Sequence, residues 1–173
     1  MNYSIKKFLT AFILLTLLPA FASSFASAEE NMTVSIKRLT MESALRIAQA
    51  AIAQCRKEGV QVAVTVVDRG GHPQVILRDV LAMDITVEIS KQKAHTAMAF
   101  NAPLSQLEDR FTKPFQVAKI DGLVISAGGI PINIGGSILG GIGVSGAPSG
   151  KTDEKCAQAG LAAVQDDIEM EGS

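Results

Sequence analysis

Aromatic side chains are scarce. The 173-residue chain has no tryptophan, one tyrosine (Tyr3) and seven phenylalanines. The tyrosine and four of the phenylalanines fall within the first 28 positions, so residues 29–173 keep only Phe100, Phe111 and Phe115. One subunit therefore cannot build a platform of stacked rings for bases or sugars, and its core must be aliphatic and alanine-rich. A basic excess is missing too. The net charge is −1 overall, and without Lys6 and Lys7 it is 14 basic against 17 acidic residues, or −3. That balance excludes nucleic acid as a partner, because phosphate backbones are gripped by a basic footprint. Two histidines and two cysteines form no zinc-ligand pattern. No Ser-His-Asp arrangement is suggested by spacing, so no enzyme is evident.

The first 28 residues are set apart from the rest. Lys6 and Lys7 precede an apolar run from Phe8 to Leu18, then Pro19, then a small-residue stretch closing on Ala26-Ser27-Ala28. This is the layout of a secretory signal peptide, and the run is short for a membrane span. Cleavage is expected after Ala28, leaving residues 29–39 as a polar lead-in and 40–173 as a single domain in a periplasmic or secreted protein. Export permits a disulfide. Sequence alone does not pair Cys55 with Cys156, and both fit apolar helix faces, so each reads first as a small buried residue.

Thr40 can cap a helix from about Met41 to Glu58, with Ala44, Leu45, Ala48, Ala51, Ile52 and Cys55 recurring three and four apart. Residues 60–67 are β-branched and nearly all apolar. Asp68-Arg-Gly-Gly71 is turn chemistry, and 72–78 return as the second strand of a hairpin. A second helix starts at Asp84 or Thr86 and runs to about Phe100, followed by a short helix over 105–111; residues 112–121 show no pattern. Strands are expected at 123–127, 130–134 and 137–145, separated by glycine pairs. Thr152 can cap a last helix over about 153–170, with Asp153 and Glu154 in its first turn, where the helix dipole favours negative charge. The order α-β-β-α-β-β-β-α predicts an α+β fold: one antiparallel sheet of about five strands with helices packed on it.

Two glycine patterns imitate nucleotide loops. Gly150-Lys151-Thr152 matches the second half of a phosphate-binding loop, but Ser145 stands where its first glycine belongs. Gly141, Gly143 and Gly146 complete a G-x-G-x-x-G, yet they lie within a strand, whereas the dinucleotide fingerprint occupies a strand-to-helix turn. Glycine persists in a strand where another backbone or a ligand approaches closely. Gly135, Gly136, Gly140, Gly141 and Gly143 are expected to leave one face of the sheet nearly bare, with a helix, a second subunit or a flat ligand packed there.

Four blocks in order carry a resemblance. They are "VAVTVVDRGGHPQVILRD", "KAHTAMAF" with Pro103 after it, "GGIPI" and "GGIGVSGAPSGKTDEKCAQAG". Together they resemble the GlcG/HbpS-like haem-binding, or haem-degrading, family, to which the PduO C-terminal domain is related. The resemblance implies a profilin-like α+β sandwich and a homo-oligomer, octamers among them. It also implies binding of haem or a related tetrapyrrole, and ferric iron handling in some exported members. The block after the hairpin departs from the pattern. The family often has Arg-x-Asp-Gly-Ala there, where this chain reads Arg78-Asp79-Val80-Leu81-Ala82.

Haem iron is held by His, Met, Cys or Tyr, which directs attention to His72, His95, Met83 and Met98. Thr96 stands at the motif position whose hydroxyl the resemblance implies as a haem ligand. Arg78, Lys91 and Lys93 could pair with propionates. Asp79, Asp84 and Glu88 could hold a hard cation such as ferric iron, Asp84 and Glu88 sharing a helix face. The expected function is haem scavenging, storage or sensing, with slow haem breakdown as an added activity. Two alternatives are a binding protein or enzyme for a small carboxylic acid held by Arg78 or Lys91, and an accessory sensor that docks on a membrane receptor.

Overall fold

The computed structural model describes residues 31–111 and 120–171, and Ile36–Ser173 form one compact unit. The expected signal peptide and the patternless stretch after Phe111 lie, wholly or largely, outside the described residues. Helix α1 (Met41–Lys57) begins where Thr40 accepts the Ser43 N–H at 3.1 Å. Strands β1 (Ala63–Asp68) and β2 (Pro73–Arg78) form the hairpin. Helix α2 (Ile85–Phe100) ends on Asn101 in the left-handed conformation, and two 3₁₀ turns follow at Leu104–Gln106 and Glu108–Phe111. Strands β3 (Gly129–Ile134) and β4 (Ser137–Ser145) complete one antiparallel sheet in the order β2-β1-β4-β3. Helices α3 (Gly150–Ala162) and α4 (Gln165–Glu171) close the chain.

The α+β class stands, with one strand fewer than expected. Residues 123–127 do not join the sheet. Their apolar run suits a strand, but side-chain acceptors satisfy this segment's backbone. Thr96 Oγ1 accepts the Val124 N–H (3.1 Å), Glu108 that of Ala127 (2.7 Å) and Glu154 that of Gly128 (3.3 Å). The last helix also differs. Ser149, rather than Thr152, is its N-cap, accepting from the Lys151 N–H at 3.2 Å. Asp153 stands in the first turn as expected, with its side chain turned inward to Lys93 and the Ala147 N–H, and the helix breaks after Ala162, where Val164 is buried.

The sheet has two unlike faces. On one, Val64, Val66, Ile130, Ile132, Ile142 and Val144 pack against Ala44, Ile47, Ala48 and Ala51 of α1 and Cys156 and Ala157 of α3. Here Cys55 and Cys156, both fully buried, form a disulfide. The reading of each as merely a small apolar residue is thus corrected: small residues at the α1–α3 crossing bring the two Cα atoms to 5.4 Å, within bridging range. A Cβ on Gly160 would meet the Ile47 carbonyl oxygen at 2.7 Å, which shows how closely these helices pass.

On the other face a helix, one of the three occupants expected against the glycines, covers Gly141 and Gly143; a Cβ on Gly140 would instead meet the Val67 carbonyl oxygen of β1, and Gly135 and Gly136 lie in the β3–β4 turn. A Cβ on Gly141 would strike the carbonyl oxygen of Ala94, and one on Gly143 that of Ser90, both in α2. The α2 backbone therefore rests on the β4 backbone, and the Thr65 and Ser90 hydroxyls join at 2.8 Å beneath it.

Candidate functional site

The site is built from the β1–β2 turn. Asp68 Oδ1 accepts the N–H groups of Gly70 (2.8 Å) and His72 (3.0 Å), an Asx arrangement that shapes the turn. Burial works against the Asp68 carboxylate. Those two donors, with the nearby charges of Arg38 and His72, outweigh it and hold the carboxyl below its ordinary range. Gly71 adopts φ +81, a conformation that favours glycine. Its missing side chain makes room for α2: a Cβ would lie 2.5 Å from His95 Cδ2 and 3.3 Å from Met98 Cε. His95 and Met98 therefore sit against the turn that carries His72.

Lys91, His95 and Met98 recur four and three apart, so they share one side of α2. Strand β2 is a sheet edge. Its Ile76 pairs with Thr65 and Arg78 with Ala63, which puts both on the sheet face that α2 covers. Ile76 is nevertheless 43% exposed, because α2 lies over β4 and β1. The result is an open shelf between α2 and β2. His95 is half-buried at its turn end, and Arg78 lies at the far end of the strand.

The remaining candidates are distributed differently. His72 is 83% exposed, its Nδ1 3.6 Å from Asp68. Thr96 is fully buried: its hydroxyl donates to the Gln92 carbonyl at 2.7 Å and accepts from Val124. Lys91 pairs with Glu88 at 3.4 Å and Arg78 with Asp84 at 3.4 Å. Lys93 is buried, bonded to Asp153 and to the Val144 carbonyl, both at 3.1 Å, and so cannot serve an external carboxylate. Burial pushes the Asp153 carboxyl above its ordinary range despite Lys93. Met83 is exposed.

The expected acidic cation site is not assembled. Asp79 is buried and paired with Arg56 of α1, while Asp84 and Glu88 face solvent with their own cations. Among the described residues no three His, Cys, Asp or Glu side chains come together to hold a metal ion. A concavity of about 740 Å³ lies elsewhere, between the α1 start and the β3–β4 turn, lined by Lys37, Arg38, Ile134, Leu139 and Ile168 among others, and holds none of the motif residues.

Sequence reasoning missed Asp68 as the organiser of the turn and Gly71 as the seat of His95. The Asp-x-Gly-Gly string signals the first. The second has no local signal, since the two residues are far apart in the chain.

Residues 39–162 match the family described as haem degrading protein HbpS-like. The chain belongs to the HbpS-like family. A crystal structure of HbpS is 40% identical with a TM-score of 0.74, covering 77% of this chain and 94% of that one. A Streptomyces reticuli HbpS double mutant is 39% identical with a TM-score of 0.73, covering 76% and 90%. A PduOC:heme complex is 27% identical with a TM-score of 0.66, covering 73% and 95%. An uncharacterised Citrobacter freundii protein from a dhaT–dhaS intergenic region is 30% identical over 121 residues, 67% of this chain and 85% of that one.

Proposed function

We propose that this HbpS-like chain is an exported, self-associating protein that binds haem or a related tetrapyrrole on the α2–β2 shelf and serves haem scavenging, storage or sensing. The carrying observation is His95, a half-buried imidazole held against Gly71 beside Met98, on the helix face that also carries Lys91. These residues fit the group. An imidazole suits haem iron, Ile76 offers apolar area to the macrocycle, and Lys91 and Arg78 offer charge to propionates. Bound haem would supply redox and gas-binding chemistry. The family match and the haem-bound PduOC relative support the reading. The Cys55–Cys156 disulfide supports export, because such bonds form and persist in oxidising compartments.

A haemin titration followed by visible absorbance tests it. A saturable Soret shift is expected. His95→Ala should abolish the saturable phase or shift the band, whereas Thr96→Val should leave the spectrum alone, because Val124 and Gln92 already occupy that hydroxyl. A broad, unsaturable change in the native protein overturns haem binding. A Soret band lost in Thr96→Val and kept in His95→Ala overturns the choice of ligand.

A further inference from the structure

The concavity between the α1 start and the β3–β4 turn has an apolar floor and charged walls. Leu39, Ile134 and Leu139 of the core form the floor with the half-buried Ile168 of α4. One wall is the entry to α1, with Lys37 and Arg38. The N-terminus of that 17-residue helix adds the positive end of its dipole. Another wall is the end of α4, with Glu169 and Glu171. Opposite charges around one cavity ordinarily pair. Here Arg38 reaches instead to Asp68, at 3.6 Å. The side chains of Lys37 and Glu171 meet neither each other nor any other hydrogen-bonding or charged partner among the described residues. The cavity thus holds an open cation and an open anion on different walls.

That arrangement selects an occupant. The volume of about 740 Å³ is that of a small-molecule site. A complementary ligand carries an anion, a cation and aliphatic surface between them. A quaternary ammonium asks for an aromatic cage, and no aromatic ring lines this cavity. A free amino acid bears both charges on one carbon and cannot serve two walls. A peptide of two or three residues sets its terminal charges roughly 7–10 Å apart. Its amide groups can meet the Ser137 hydroxyl, which lines the cavity and has no partner among the described residues.

We infer that this cavity binds a short aliphatic peptide with free ends. The peptide's carboxylate lies at Lys37 beside the α1 N-terminus, its ammonium at Glu171, and its side chains on the floor of Leu39, Ile134, Leu139 and Ile168. The cavity holds none of the haem-motif residues, so the inference stands or falls apart from the haem reading.

The test is isothermal titration with trileucine of protein purified from cells expressing the full chain. Saturable binding near one peptide per chain is expected. Amidating the peptide's carboxylate, or acetylating its amine, should each weaken binding about fivefold, the worth of one exposed charge contact. Lys37→Glu should weaken binding of the free peptide and erase the difference that amidation makes. Glu171→Lys should do the same for acetylation. Both side chains are exposed, so the far-ultraviolet circular dichroism of each variant should match the native protein. Peptide-induced shifts of amide resonances should centre on Thr40, Ser43 and Ser137 and spare His95. Heat that does not saturate overturns the inference, as does binding indifferent to both terminal charges. Variants that bind as the native protein does, or shifts centred on His95, overturn the location. Haemin titration of the native protein judges the haem reading separately.

Discussion

The two faces of the sheet are assembled on opposite principles. Toward α1 and α3, bulky β-branched side chains fill the space between layers, and a disulfide staples the helices above them. Toward α2, side chains are removed: Gly141 and Gly143 let the helix backbone settle onto the strand, and hydroxyls meet beneath it. The first face is held by volume and the second by proximity. That difference bears on function, because a helix seated over β4 and β1 leaves β2 uncovered, and the uncovered strip is where His95, Ile76 and Arg78 reach solvent.

Removing the staple should have the largest effect. The Cys55–Cys156 bridge spans 101 residues, so Cys55→Ala/Cys156→Ala should lose about 4 kcal/mol of stability in urea unfolding. A loss confined to a few tenths would mean that packing alone holds α1 on α3. Next comes the buried ion pair that joins α2 to α3 past the end of the sheet. Lys93→Met leaves Asp153 without its cation in a dry site and should cost about 3 kcal/mol. Adding Asp153→Asn should recover part of that loss, and a double variant no better than the single would show that the charge was not the problem.

The two faces can then be set directly against each other at neighbouring positions of β4. Ile142→Ala removes volume from the filled face and should cost about 3 kcal/mol. Gly143→Ala adds one carbon to the other face, where its Cβ would lie 2.5 Å from Ala94 N, and should cost about 2 kcal/mol by lifting α2. A neutral Gly143→Ala would mean that α2 does not rest on β4 as described.

The smallest effect is in pH. The Asp68 carboxyl is held below its ordinary range, so its contribution is present above that range and lost as pH falls through the depressed value. Asp153 has the opposite sign: its carboxyl is raised, so stability associated with its protonated form declines as pH rises through the raised value. Asp68→Asn should flatten the acid limb of a urea-midpoint profile by less than about 1 kcal/mol, since the turn is near solvent. An unchanged acid limb would remove Asp68 from the account.

Legibility followed distance along the chain. Helix α1 with its Thr40 cap, the β1–β2 hairpin and the glycine-bearing strand β4 each declare themselves within a few residues, through spacing, turn chemistry and β-branching. The antiparallel α+β class follows from them, as does the family resemblance that the comparison with known proteins established. The segment at 123–127 was misread because its apolar run is a local signal, whereas the acceptors that draw it from the sheet, Thr96, Glu108 and Glu154, lie 19 to 28 residues away. Helix α3 was misread at its start for a related reason: Asp153 follows Thr152 in the chain but is drawn inward by Lys93, 60 residues distant.

The candidate site divides along the same line. Residue types alone nominate His72, His95, Met98, Arg78 and Lys91, since few groups in this chain can hold iron or a carboxylate, and Thr96 enters only through the family resemblance. Composition alone also excludes an aromatic platform and a basic footprint. Only the tertiary structure closes Thr96 behind Val124, seats His95 against Gly71, turns Asp79 away from Asp84 and Glu88, and brings Cys55 to Cys156. Each of those outcomes depends on how close two distant backbones come, and that is set by the small residues between packed layers, a quantity no single stretch of chain contains.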